Sequence, residues 1–275
     1  MAETTSTTPT KRIELENSAV LFEQVGSVGV ITLNRPDRYN GVNHDLVLGL
    51  LDALEKAKLT REIRAVVLKG NGKGFSAGAD LGGDVTEMIP ERMDDYITEN
   101  YGAICRRIMT LSKPVIAAIH GAVAGVSTAF ALACDLRIMA EKANFRYAFI
   151  NIGLGTDGGA GWLLARAIGY SRAFQIAVEG EKIPASTCLE LGLTNKVVPE
   201  ERLEEEALAW AMRLAERPPM GVAATKRVLH HAMNHSFPES VSFEADIQAK
   251  ALGSEDFQEG VMAFFEKRKP NFKGR

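Results

Sequence analysis

The stretch 153-GLGTDGG-159 sets one carboxyl, Asp157, among four glycines. Two chemistries fit it. Gly153, Gly155 and Gly158 have the G-x-G-x-x-G spacing of a dinucleotide-binding turn. Alternatively, the loop walls a pocket in which Asp157 takes up and returns a proton. The nucleotide reading needs a strand turning straight into a helix, with an acidic residue about twenty positions on. Residues 171–178, SRAFQIAV, hold none. An Asp inside the loop would also repel a pyrophosphate. Taken alone, an Asp in a glycine turn reads as an Asx turn or a cap.

A second cluster, 70-GNGKGFSAGAD-80, places Lys73 after a glycine, but no Ser or Thr follows the lysine. The magnesium-binding hydroxyl of a Walker loop is therefore missing. By spacing alone, both clusters read as structural turns. Among the other acids, Asp80 reads as a cap of the following segment and Asp135 as a buried cap. His120, at a strand end, is expected to hydrogen-bond to the next loop. His230, His231 and His235 lack metal spacing with an acid partner, so no metal is expected.

These residues must be positioned by elements whose pattern is legible. The runs 19-AVLFEQ-24 and 28-VGVITL-33, joined through Gly26, read as a hairpin. Helical spacing over 44–59 precedes a strand at 65–70; a helix over 92–111 precedes a buried strand at 115–121. A small-residue helix over 125–135 and a short strand at 136–140 follow. This alternation predicts an α/β domain. From about residue 161 the chain reads as helical, with only 195-NKVV-198 extended. The expected division is a tail at 1–12, an α/β core over 13–200 and a helical region over 201–275.

Composition sets bounds on partners and setting. The 275 residues are 46% apolar and 24% charged with a net charge of −3, which suits a globular protein and argues against a general nucleic-acid surface. The end, 267-KRKPNFKGR-275, carries five positive charges and no negative one, as a solvated tail or an anion contact. Cys105, Cys134 and Cys188 have no C-x-x-C spacing, so neither a disulfide framework nor a zinc ribbon is indicated. Cys134 reads as a buried small residue. The polar, Thr-rich start has no secretory apolar segment, and no run is long enough to span a bilayer. A cytoplasmic, reducing setting is the expectation.

Six segments together carry a resemblance: 32-TLNRPDRYNGVN-43, 70-GNGKGFSAGADL-81, 114-PVIAAIHGAVAG-125, 134-CDLRIMAEKANF-145, 190-ELGLTNKVV-198 and 264-FFEKRKPNF-272. Their order and spacing resemble the enoyl-CoA hydratase/isomerase, or crotonase, superfamily over nearly the whole chain. The resemblance implies a repeated β-β-α core followed by a helical C-terminal region that assembles a homotrimer or dimer of trimers. It implies a coenzyme A thioester as substrate and no permanently bound cofactor. It implies an oxyanion hole of two backbone amides, Ala77 and Val126, with Gly78 and Gly125 beside them letting the chain approach the ligand. The helix starting near Val126 would add its positive end. Most relatives have Gly where Val126 stands. Arg38 and the backbone Ala79, Asp80 and Leu81 fall where coenzyme A packs. Phe264, Lys267 and Lys273 fall where a C-terminal helix, often a neighbour's, covers the nucleotide.

Hydratase relatives use two glutamates, whose positions here hold Ala129 and Phe149. Neither can move a proton. Adding water to a double bond asks for a polarised water and a proton donor, usually two carboxyls. One carboxylate can more easily carry a proton between carbons, so Asp157 is the expected acid/base of an isomerisation through an enolate. Isomerase relatives have an Asp in a closely similar loop. Dehalogenase relatives use theirs as a nucleophile with a histidine near the position of Gly102, and glycine is no base. Shielding of Asp157 by Phe149, Ile152 and Leu154 is expected to raise its pKa. Glu87 and Glu91, in 82-GGDVTEMIPERMDD-95, are read as a solvated loop or as a second proton-transfer group. Phe149, Tyr147, Trp162 and Met88 are expected to shape the acyl pocket. A hydratase and a non-catalytic acyl-CoA binder remain the rivals.

Overall fold

The computed structural model describes residues 10–82 and 92–275. Glu87, Met88 and Glu91, assigned roles from sequence, lie outside the described residues.

The strands are β1 (Thr10–Ile13), β2 (Val20–Val25), β3 (Val28–Leu33), β4 (Ala65–Gly70), β5 (Val115–Ile119), β6 (Ala122–Ala124), β7 (Leu136–Ala140), β8 (Asn144–Arg146), β9 (Lys182–Pro184) and β10 (Lys196–Val198). The main sheet runs β1-β2-β3-β4-β5-β7-β10. Its first three strands pair antiparallel and the rest parallel. Strand β4 is almost wholly buried and β5 entirely so, which is why both are continuous apolar runs rather than alternating ones. The hairpin read around Gly26 is β2–β3. Strand β1 pairs Thr10 with Val25 and Ile13 with Phe22, so residues 10–12, read as tail, form the sheet's edge.

The helices are α1 (His44–Leu59), α2 (Met93–Tyr96), α3 (Gly102–Thr110), α4 (Ser127–Ala133), α5 (Ala160–Ile168), α6 (Tyr170–Glu179), α7 (Ala185–Glu190), α8 (Leu203–Ala215), α9 (Pro219–Ala232), α10 (Phe237–Leu252) and α11 (Glu255–Phe265). Asn43 starts α1 by accepting the Leu46 amide at 3.1 Å. Leu46, Leu50, Ala53, Leu54 and Ala57 then form its buried stripe. Between α2 and α3 the chain makes a π turn, Ile97–Tyr101. Every residue of α4 is buried, and a helix enclosed on all sides has room only for small or apolar residues. Helix α8 buries Leu203, Ala207, Ala211 and Ala215 in the main core, so the core's helical layer extends past residue 200.

A second sheet, β6-β8-β9, positions the site. Strand β6 pairs parallel with β8, Val123 facing Phe145, and β9 covers the other side of β8. Such three-residue strands carry little sequence signal, and the expectation of a single extended segment after residue 161 missed β9. This sheet ties the turn after β5 to the segment leading to Asp157. The loops after β4 and β5 sit at the carboxyl ends of parallel strands, where open α/β sheets leave a crevice.

Candidate active site

The first wall is built on Asn40, whose side chain is fully buried. Its Nδ2 donates to the carbonyls of Asn71, Gly74 and Phe75 at 2.8, 2.9 and 3.1 Å, and its Oδ1 accepts the Arg35 amide at 2.8 Å. Ser76 Oγ donates back to the Asn40 carbonyl at 2.8 Å. Asn40 thus fastens the turn after β3 to the glycine loop after β4, a role sequence reasoning missed. Asparagine suits the place, since Asn40 adopts a left-handed φ of 53° that asparagine tolerates better than most residues.

This loop corrects one expected oxyanion donor. The Ala77 amide donates to the Tyr39 carbonyl at 3.0 Å, so it is already engaged within the protein. Two residues further, Ala79 forms a parallel bridge with Val42. In it Val42 donates to Gly78 O at 2.7 Å and accepts from Asp80 N at 3.1 Å. That pattern turns the amide of Ala79 itself away from Val42, and it has no hydrogen bond among the described residues. The Val126 amide has none either.

The two loops meet at glycine. Gly78 has a φ of 90°, and a Cβ on it would stand 2.7 Å from Ala124 O and 3.2 Å from the Gly125 Cα. Only glycine permits that approach. Ser127 Oγ reaches Ser76 O at 3.0 Å, and the Gly125 amide donates to Arg146 O at 3.1 Å, which joins the Val126 turn to both sheets. Val126 leads into α4, as expected.

Asp157 enters from the third loop. Its side chain neither caps α5 nor forms an Asx turn; Oδ1 is buried with no hydrogen-bond partner among the described residues. Burial pushes its carboxyl up to about 6 from the ordinary 3.8. Ile152 and Leu154 are 54% and 52% exposed and give little cover, whereas Phe149 is buried. The packing comes through Gly158, where a Cβ would lie 2.8 Å from Val126 Cγ2 and 3.1 Å from Tyr101 Cβ. The Cys105 Sγ donates to Gly158 O at 3.3 Å. Asp157 therefore sits on a loop whose next residue, Gly158, packs against the Val126 side chain, Tyr101 and Cys105. Ala129 is buried, and neither it nor Phe149 brings a carboxyl.

The expected nucleotide corner is an ion cluster. Asp80 pairs with Arg35 at 2.8 Å and Arg38 at 3.5 Å, and Oδ1 also accepts the Gly82 amide at 3.1 Å. Burial opposes its ionisation, but the Arg35 hydrogen bond and the two guanidiniums outweigh it and hold its carboxyl below the ordinary range. Asp80 is thus an arginine anchor more than a cap. Arg38 is half exposed, with its Nη2 over Gly82, and Leu81 is also exposed.

Phe264, Lys267 and Lys273 have other neighbours in this chain. Phe264 is 78% exposed beside Phe257 and Phe272; Lys267 donates its amide to Phe264 O; Lys273 donates its amide to Asp256 at 2.6 Å. Three of the five terminal cations are paired: Arg268 with Glu259, Lys269 with Glu216 and Arg275 with Glu255. Tyr147, expected in the acyl pocket, is fully buried in the core, and Trp162 stacks under Arg166, 3.9 Å away, on α5.

The remaining polar residues are structural. His120 Nε2 meets Gly72 O at 2.9 Å, in the preceding loop rather than the next. Asp135 accepts the Val115 amide and pairs with Lys226, both at 2.8 Å. Cys105, Cys134 and Cys188 are free and buried. Among the described residues no cluster of His, Cys, Asp and Glu could hold a metal, and no helix is long and apolar enough to cross a membrane.

Comparison with known proteins accounts for this architecture. Residues 23–275 match the enoyl-CoA hydratase/isomerase family. The "Probable enoyl-CoA hydratase" of Rhodobacter capsulatus is 38% identical, over 93% of this chain and 98% of its own. The 1,2-epoxyphenylacetyl-CoA isomerase of Escherichia coli K12 is 36% identical, over 90% and 95%. A solved enoyl-CoA hydratase subunit from Geobacillus kaustophilus superposes with a TM-score of 0.89 at 33% identity, covering 94% of this chain and 100% of its own. The fold is that of the crotonases, and the chain belongs to the enoyl-CoA hydratase/isomerase family of enzymes acting on coenzyme A thioesters.

Proposed function

We propose that the protein is a CoA-thioester isomerase that moves a proton between carbons of an enoyl or related acyl group, with Asp157 as the acid/base. The carrying observation is the Asp157 carboxyl: buried at Oδ1 without a hydrogen bond, on a loop whose next residue, Gly158, packs against Val126, with Ala129 and Phe149 where a second carboxyl would be expected. A carboxyl at about 6 is largely ionised at neutral pH yet basic enough to accept a proton. It takes the proton from the carbon beside the thioester carbonyl. The enolate's oxygen is held by the amides of Val126 and Ala79, the latter replacing Ala77, and the protonated Asp157 then delivers its proton to another carbon. Each amide contributes roughly 10²–10³-fold in rate, as donors aimed at a developing oxyanion do.

Arg38, set by Asp80, and the backbone Ala79–Leu81 receive the nucleotide portion. Phe264, Lys267 and Lys273 cover it from a neighbouring copy in a trimer. The kinship with 1,2-epoxyphenylacetyl-CoA isomerase supports an isomerase; the kinship with the Rhodobacter protein favours hydration as the second reading.

The test is incubation of a β,γ-unsaturated acyl-CoA with the enzyme in heavy water. Deuterium at the α and γ carbons, lost in Asp157→Asn, supports the isomerase. Water added at the β carbon supports a hydratase. Exchange that persists in Asp157→Asn removes Asp157 from the chemistry, and binding with neither reaction leaves an acyl-CoA binder.

A further inference from the structure

The Asp157 side chain has no hydrogen bond that would aim it among the described residues, and its loop is held instead at the next residue. Tyr101 and Cys105 stand four residues apart, one turn of helix, so they share a face. The π turn Ile97–Tyr101, in which Gly102 N donates to Ile97 O, widens the helix just before that face. π turns of this kind recur at functional sites. On this face the Cys105 Sγ donates to Gly158 O at 3.3 Å, and Tyr101 Cβ stands 3.1 Å from where a Gly158 Cβ would be. Val126 abuts it from α4, with Cγ2 2.8 Å from where a Gly158 Cβ would be. Gly158, at a φ of 58°, is thus packed from two helices and hydrogen-bonded from one.

We infer that Cys105 and Val126 are positioning residues for proton transfer: the thiol fixes the carbonyl of Gly158, the residue after Asp157, and the valine methyl packs against Gly158, so that the carboxyl is held toward the Val126 amide with water kept from Oδ1. This rests on Asp157 as the acid/base.

The thiol suits the role chemically. It is buried, and burial first, then the Asp157 charge, pushes it up to about 12, so it stays protonated and donates. The titratable groups on the packed face are Cys105 and Tyr101, and no ion pair to Asp157 occurs among the described residues.

The experiment measures α-proton exchange from pH 5 to 8 for wild type, Cys105→Ala, Cys105→Val, Cys105→Ser and Val126→Ala, with Asp157→Asn as control. Cys105→Ala and Cys105→Val are expected to lower kcat about tenfold or more, with KM within about twofold, since a shift of the order of 1 Å can cost 10²-fold. Their acid limb should move to lower pH as water reaches the carboxyl. Cys105→Ser keeps a donor and should recover most of kcat. Val126→Ala should shift the limb in the same direction. Cys105→Val fills the thiol's space, so it decides the matter if Cys105→Ala fails to fold. A Cys105→Val enzyme with unchanged kcat and unchanged limb overturns the inference while Asp157→Asn still abolishes exchange. Exchange surviving in Asp157→Asn strikes at the acid/base reading instead.

Discussion

Ala77 donates its amide to the carbonyl of Tyr39 at 3.0 Å, and this one bond shifts the candidate oxyanion donor two residues along the loop. With Ala77 engaged, Ala79 and Val126 supply the free amides, and Gly78 is the pivot between them. Gly78→Ala would put a methyl 2.7 Å from Ala124 O at a φ of 90° and drive the loops apart. The expected result is a fall of about 10²-fold in kcat/KM with far-UV circular dichroism unchanged.

Asp157 should set the acid limb of the rate profile. Its carboxyl titrates at about 6, so kcat/KM is expected to fall tenfold per pH unit below that value and to level off above it. Asp157→Asn should remove the limb and lower the rate by roughly 10²–10⁴-fold.

The same residue should weaken the fold at neutral pH. A carboxyl raised from 3.8 to about 6 favours folding below the lower value and loses that contribution as pH rises through the higher one. Asp157→Asn is therefore expected to be more stable than wild type at pH 8, by about 1–2 kcal/mol after allowance for the solvent that reaches the side chain, and not at pH 4. Urea melts at the two pH values check the sign.

Asp80 neutralises and aims two arginines, 2.8 and 3.5 Å away. Asp80→Asn should raise KM for an acyl-CoA by about tenfold, equivalent to about 1.4 kcal/mol, with kcat little changed. Steady-state kinetics with full-length and nucleotide-truncated thioesters would show whether the loss is confined to the nucleotide.

Lys226 fastens α9 to the core. Its Nζ reaches Asp135 Oδ2 and Ile108 O at 2.8 Å and Lys113 O at 3.3 Å, with the side chain 7% exposed. Lys226→Met strands the Asp135 carboxylate and should cost about 3–5 kcal/mol. Combining it with Asp135→Asn should recover part of that loss in a chemical melt.

By itself, the sequence determined the fold and the cast of chemical groups. Strands β2–β5 follow from their apolar runs, helices α1 and α8 from their apolar period and α4 from its small residues, and the absence of carboxyls at Ala129 and Phe149 is a matter of residue type. The three-residue strands β6, β8 and β9 were not legible, because so short a segment has no period and gains its hydrogen bonds only from neighbours distant in sequence. Which amide stays free was decided by tertiary structure, since Tyr39 and Ala77 meet only when the turn after β3 closes on the loop after β4. The raised pKa of Asp157 is legible in part, since of the three side chains expected to shield it Phe149 is buried while Ile152 and Leu154 are half exposed. Ile152 and Leu154 are its neighbours in sequence and face solvent, while Cys105, Val126 and Tyr101 dehydrate its loop from two helices. Desolvation depends on what surrounds a group in space, and a linear sequence specifies the groups without their surroundings.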